Sequence, residues 1–120
     1  MKRSISSIFI TIFLLTLLSG CNPSETSTII GRYIESNNGA HMIISESIGP
    51  IVMNNKSKND TLFDDLQTGD KIKITCTPVA ESYPGLCGAY KLKLIAQGSI
   101  EDISKETLDN LKEMGWIDNY

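Results

Sequence analysis

"KIKITCTPVAESYPGLCGAYKLKLIA", residues 71–96, contains two runs in which apolar and polar residues alternate, joined by a loop punctuated with two prolines. In the first run Ile72, Ile74 and Cys76 fall on one side of an extended chain, and Lys71, Lys73 and Thr75 on the other. Successive side chains of a strand point to opposite faces, so a period of two marks a strand with one dry face and one wet face. In the second run Leu92 and Leu94 stand opposite Lys91, Lys93 and Ile95. Two half-buried strands of this kind need a sheet to complete them.

Moving towards the amino terminus, "STIIGRYIES" (27–36) and "HMIISES" (41–47) are rich in β-branched residues, and "NNGA" between them supplies residues that accept positive φ. They form an expected hairpin. "GPIVMN" (49–54) is a third apolar run, and the polar "NKSKND" (55–60) after it reads as a loop. "DTLFDDLQTGD" (60–70) carries Leu62, Phe63 and Leu66 at helical spacing, with Asp60 or Thr61 as a cap and Gly69 as a stop, so one or two helical turns plugging a core are expected there. At the other end, "SKETLDNLKEMGW" (104–116) predicts a helix capped by Ser104, striped by Leu108, Leu111 and Met114, and ended by Gly115. The expected fold is mainly β: a small five-stranded Greek-key barrel of the oligonucleotide/oligosaccharide-binding (OB) type plus a C-terminal helix. A two-layer α+β sandwich is the alternative arrangement of the same elements.

The first 20 residues read differently. Lys2 and Arg3 precede an uncharged run from Ile8 to Leu18, too short for the roughly 20 residues that a membrane-spanning helix needs, and the run ends in small residues. This is the layout of a signal peptide. Its last residues, Leu18-Ser19-Gly20-Cys21, resemble the bacterial lipobox. The resemblance implies cleavage before Cys21, a diacylglycerol on its sulfur and a further acyl chain such as palmitate on the new amino terminus, and two or more chains anchor a protein stably. The expected organisation is a signal peptide at 1–20, a lipidated tether at 21–27, the barrel at 28–103, and the helix and tail at 104–120. Asn22 is not the aspartate that retains enterobacterial lipoproteins at the inner membrane. The expected location is therefore the envelope: the outer membrane facing the periplasm in a two-membrane cell, or the outer face of a single cell membrane.

With residues 1–20 removed, 100 residues remain, enough for one small domain. The full chain has 11 basic and 14 acidic residues, and losing Lys2 and Arg3 leaves 9 against 14, or −5. An acidic average repels phosphate backbones and anionic lipid head groups, and no basic run overrides it, so no nucleic-acid partner is expected. With Cys21 committed to lipid, Cys76 and Cys87 are left, and in an oxidising compartment a lone pair in a small domain is expected to form a disulfide. Such a bridge stabilises by roughly 3 kcal/mol through loop closure.

Residues 66–85, "LQTGDKIKITCTPVAESYPG", resemble a motif of small bacterial lipoproteins of the YobA-like type, in Gly69, Asp70, Ile72, Ile74, Val79 and Glu81-Ser82-Tyr83-Pro84-Gly85. The resemblance implies an exported lipoprotein with a barrel-like domain, and brings no activity with it. Glu81, Ser82, Tyr83 and Pro84 form the candidate binding loop, since polar and amphipathic side chains on a stiffened loop commonly carry recognition. The competing reading makes Tyr83 an inward-folded residue and Glu81 a cap. Catalytic, metal and cofactor residues are not indicated: His41 is the only imidazole, and the adjacent Asp64 and Asp65 do not face a common substrate. The expected function is a non-enzymatic binding or accessory module for an envelope protein, a peptide or a glycan, with an inhibitor or immunity protein as one version. A structural component of an envelope assembly, or a small hydrolase using His41, are the alternatives.

Overall fold

The computed structural model describes residues 25–118; the expected signal peptide and the expected lipidation at Cys21 lie outside the described residues. Among the described residues five strands follow in order: β1 (Ser27–Glu35), β2 (His41–Ser45), β3 (Gly49–Asn55), β4 (Lys71–Cys76) and β5 (Gly85–Ala96). They close into a barrel in the spatial order β1-β2-β3-β5-β4, the OB-like arrangement, and the two-layer sandwich is not formed. Only the β3–β5 pairing is parallel; the others are antiparallel.

β1 serves two partners, which is what closes the barrel. Its first half pairs with β4, from Ser27 opposite Cys76 to Arg32 opposite Lys71, and its second half pairs with β2, from Gly31 opposite Ser45 to Glu35 opposite His41. Gly31 sits where the two pairings overlap, and a Cβ there would lie 2.3 Å from the Ile44 carbonyl oxygen. Only glycine lets the backbones approach so closely. β5 runs longer than its alternating sequence indicates. It begins at Gly85 rather than Tyr90, because its first residues pair with β3 in parallel, a contact that leaves no local periodic trace.

Inward residues of every strand, among them Ile29, Tyr33, Ile43, Ile51, Ile72 and Ile74, make the barrel core. The expected helix at 60–69 is instead a series of tight turns over 60–65, in which Leu62, Asp64 and Leu66 each donate to the carbonyl three residues back. Asn59, not Asp60 or Thr61, caps it, its Oδ1 accepting from Thr61 N at 3.0 Å. A segment this short cannot repay helix nucleation, and its packing fixes it instead. The plug is as expected: Phe63 is buried and Leu62 and Leu66 pack on the barrel core.

A second core lies outside the barrel. Ile34 of β1 and Met42 of β2 point outward, yet both are fully buried, because the C-terminal helix α1 (Lys105–Glu113) packs over them with Leu111, Ile103 and Ile117. Ser104 is the cap, its Oγ accepting from Thr107 N at 3.2 Å, and Gly115, at φ +81°, ends the helix. Trp116 lies at the edge of this second core.

Candidate binding surface

The loop between β4 and β5 is organised by its own hydrogen bonds. Ala80 N donates to Leu86 O at 2.9 Å, Ser82 N to Ala80 O at 2.9 Å, and Ser82 Oγ to Pro84 O at 2.9 Å. Gly85 is buried where a Cβ would meet the Val79 side chain at 2.9 Å, so the return of the chain into β5 leaves no room for a larger residue. Tyr83 does not fold inward: it is 59% exposed, and its ring lies over Gly49 at the start of β3. Glu81 is exposed as well.

That placement brings the loop to the β2–β3 turn. Ile48 in the turn is 53% exposed and Leu86, opposite Val52, is 45% exposed, so Ile48, Tyr83 and Leu86 form an apolar rim at one end of the barrel. On the far side of the same turn an open groove of about 400 Å³ runs between Ile30, Ile44 and Ile48, with Arg32, Lys71 and Glu46 on its edges. Arg32 is held there by a 3.1 Å hydrogen bond from its guanidinium to Gly69 O. Sequence reasoning singled out the loop and missed the groove. The only local sign of it was Ile30, an apolar residue at an outward position of β1.

The expected Cys76–Cys87 disulfide is not made. Both cysteines are free thiols buried in the barrel core. The register gives the reason: Ala89, not Cys87, stands opposite Cys76. Cys87 is thus a diagonal neighbour, and diagonal Cα separations of about 7–8 Å exceed what a disulfide normally spans. Burial pushes Cys76 above its ordinary pKa, and burial together with the neighbouring Cys76 pushes Cys87 up to about 12. Thiols kept protonated in an apolar core are poor nucleophiles, so the pair acts as packing.

His41 is also a packing residue. Its ring stacks on Phe63 with centroids 4.4 Å apart, and its Nδ1 lies 2.6 Å from the Tyr33 hydroxyl. Burial, then the charges of Glu35 and Asp64, hold the Tyr33 phenol well above its ordinary pKa, so it remains a neutral hydroxyl beside the imidazole. Asp64 and Asp65 are exposed on the plug. The Gly69-Asp70 pair of the motif is structural. Asp70 is buried, with one carboxylate oxygen accepting from Gln67 N at 2.9 Å and the other from Gly98 N at 3.0 Å. Gly69, at φ +99°, packs its backbone against Ser99 so tightly that no Cβ fits.

Comparisons with protein-family models, with curated proteins and with solved structures return no match to this chain.

Proposed function

We propose that the chain is an exported lipoprotein, anchored to the cell envelope through acyl chains on Cys21, whose barrel binds a segment of another envelope protein without chemistry of its own. The observation that carries this is the exposed Ile48–Tyr83–Leu86 rim beside a groove with an isoleucine floor and edges of both charge signs. Apolar anchors of this kind with a polar surround are what protein recognition uses. The loop is braced before any partner arrives, which lowers the ordering cost of binding. The β1–β2–β3 outer face, near the surface that OB-type barrels use for oligonucleotides, is occupied by α1, which supports a protein or peptide ligand over a nucleic acid. Inhibition of an exported lytic protein is one form of such binding.

Two measurements test this. Feeding cells an alkyne fatty acid labels the mature protein if Cys21 is acylated, and a Cys21→Ser variant loses the label. Crosslinking in intact cells, followed by detergent extraction, recovers a partner with the wild type and at least tenfold less of it with an Ile48→Ala, Tyr83→Ala variant. Identical recovery removes this end of the barrel from the function.

A further inference from the structure

The lysines of the two alternating runs are brought together by the barrel. Outward positions of β4 and β5 pair Lys73 directly with Lys93 and Thr75 with Lys91, and β4 also sets Lys71 opposite Arg32 of β1. Five of the nine basic residues of the 21–120 segment therefore share one outer face, and the register sets no Asp or Glu among them. One acid, Glu46, stands beside Arg32 and Lys71 at the groove edge, but it does not reach the groove-free end with Lys73, Lys91 and Lys93. Glu101 and Asp102 lie in the turn before α1, and Glu106, Asp109 and Glu113 on α1 itself, which covers the outer face of β1, β2 and β3. Like charges placed directly opposite on a sheet cost stability, and two such pairs side by side have a physical purpose when an anionic surface neutralises them.

We propose that this face is the docking surface for an anionic phospholipid bilayer, orienting the domain flat against the membrane to which it is anchored. The inference rests on the lipid-anchor reading for its geometry. β1 enters the same sheet at Ser27, opposite Cys76, and Cys21 is six residues before it, a span of about 20 Å when fully extended. Lys91, opposite Thr75, lies one residue step from that entry point and Lys73 three, so the tether holds them at the head groups. The acidic balance of the whole domain does not prevent this. Exposed charges more than about 8 Å apart are largely screened at physiological salt, so at contact the local face outweighs the distant acids. Tyr90 and Ile95, exposed where the β4–β5 register slips, bracket the Lys91–Lys93 pair along the strand and add an amphipathic and an apolar contact for the interface. Docked through Lys73, Lys91 and Lys93, which do not line the groove, the domain keeps the groove and its Tyr83 end within reach of membrane-proximal segments of a neighbour.

The test uses the full-length protein purified from its host membrane and reconstituted in vesicles of phosphatidylcholine, with or without phosphatidylglycerol. A brief acetylation pulse, mapped by mass spectrometry, reads the reactivity of each lysine. With phosphatidylglycerol, Lys73, Lys91 and Lys93 are expected to react at least about fivefold more slowly than with phosphatidylcholine alone, which is the preference one charge gains at an anionic surface. High salt should abolish the difference, and Lys105 and Lys112 of α1 should react equally in both. Equal rates at all lysines in both vesicles overturn the proposal. Flotation in high salt reports the anchor separately, because acyl chains hold regardless of charge. If the protein fails to float there, the anchor reading is wrong, and low-salt flotation with phosphatidylglycerol still tests the face. Binding that the variant Lys73→Gln, Lys91→Gln, Lys93→Gln lowers on the order of 100-fold supports the proposal, and no binding overturns it. Protection by a single-stranded oligonucleotide but not by vesicles would also overturn it, in favour of a nucleic-acid surface.

Discussion

The barrel has two outer faces built on the same strand β1, and they have opposite fates. Where β1 pairs with β2, its outward Ile34 joins Met42, Ile44 and Val52, and α1 covers them with Leu111, Ile103 and Ile117. Where β1 pairs with β4, the outward residues are Thr28, Ile30 and Arg32 against Thr75, Lys73 and Lys71, and the face stays bare. Inside the barrel the two halves are alike. What decides whether a face is covered is the outward set of side chains: four apolar residues need burial, and a set dominated by cations would lose its hydration under a helix. Coverage stabilises the domain, and the bare face leaves charge available at the surface.

The sharpest way to break this contrast is to give the covered face the chemistry of the bare one. Met42→Lys places a charge under α1 with no partner, and urea unfolding should show a loss of about 4 kcal/mol or more, with amides of α1 losing protection in hydrogen exchange. The mirror change, Lys73→Met, should move stability by no more than about 0.5 kcal/mol in the same assay. Leu111→Ala attacks the covered face from the helix side and is expected to cost about 2–5 kcal/mol through the cavity it leaves, again read by urea unfolding.

The inner side of the sheet makes a pH-dependent prediction. The Cys87 thiol, held up to about 12 mainly by burial, keeps its proton in the folded state to higher pH than in the unfolded chain, whose value is 9.0. Between those values the unfolded chain binds fewer protons, so stability is complete below pH 9 and falls as pH rises towards 12. Cys87→Ala should flatten part of that slope in unfolding curves taken across the window, even though its stability at neutral pH is lower. An unchanged slope would show that the thiol is not protected by the core.

Smaller effects sharpen the comparison. Ser104→Ala removes the cap of α1 and should cost about 1 kcal/mol, lowering the melting temperature without altering the barrel. On the bare face, Lys93→Glu turns a repulsive cross-strand pair with Lys73 into an attractive one and should raise stability by about 0.2–1 kcal/mol. If it also weakens association with anionic vesicles, the lysine pair trades stability for binding.

The strands of the barrel were legible because a period of two is local: Lys71 to Cys76 alternate whatever they pair with, and NNGA can turn whatever follows. Ser104 and Gly115 are equally local signals, and both stand where the helix begins and ends. The short plug was misread because Leu62, Phe63 and Leu66 meet the barrel core without a helix between them. The disulfide was misread because a count of cysteines carries no register. Of the candidate site, the loop at Glu81–Pro84 was visible, whereas the turn and groove beside it come mostly from β1 and the β2–β3 turn, far from it in sequence.

The order of residues by itself determined the strands, the turns between them, the caps of the helix and the amphipathic faces, since each depends on neighbours within a few positions. The closed barrel decided the rest: that Cys87 lies diagonal to Cys76, that α1 conceals one outer face, and that four lysines and an arginine from three strands stand together in a chain whose net charge is negative. Charge summed along a sequence has no direction, and only the register of the sheet gives it one.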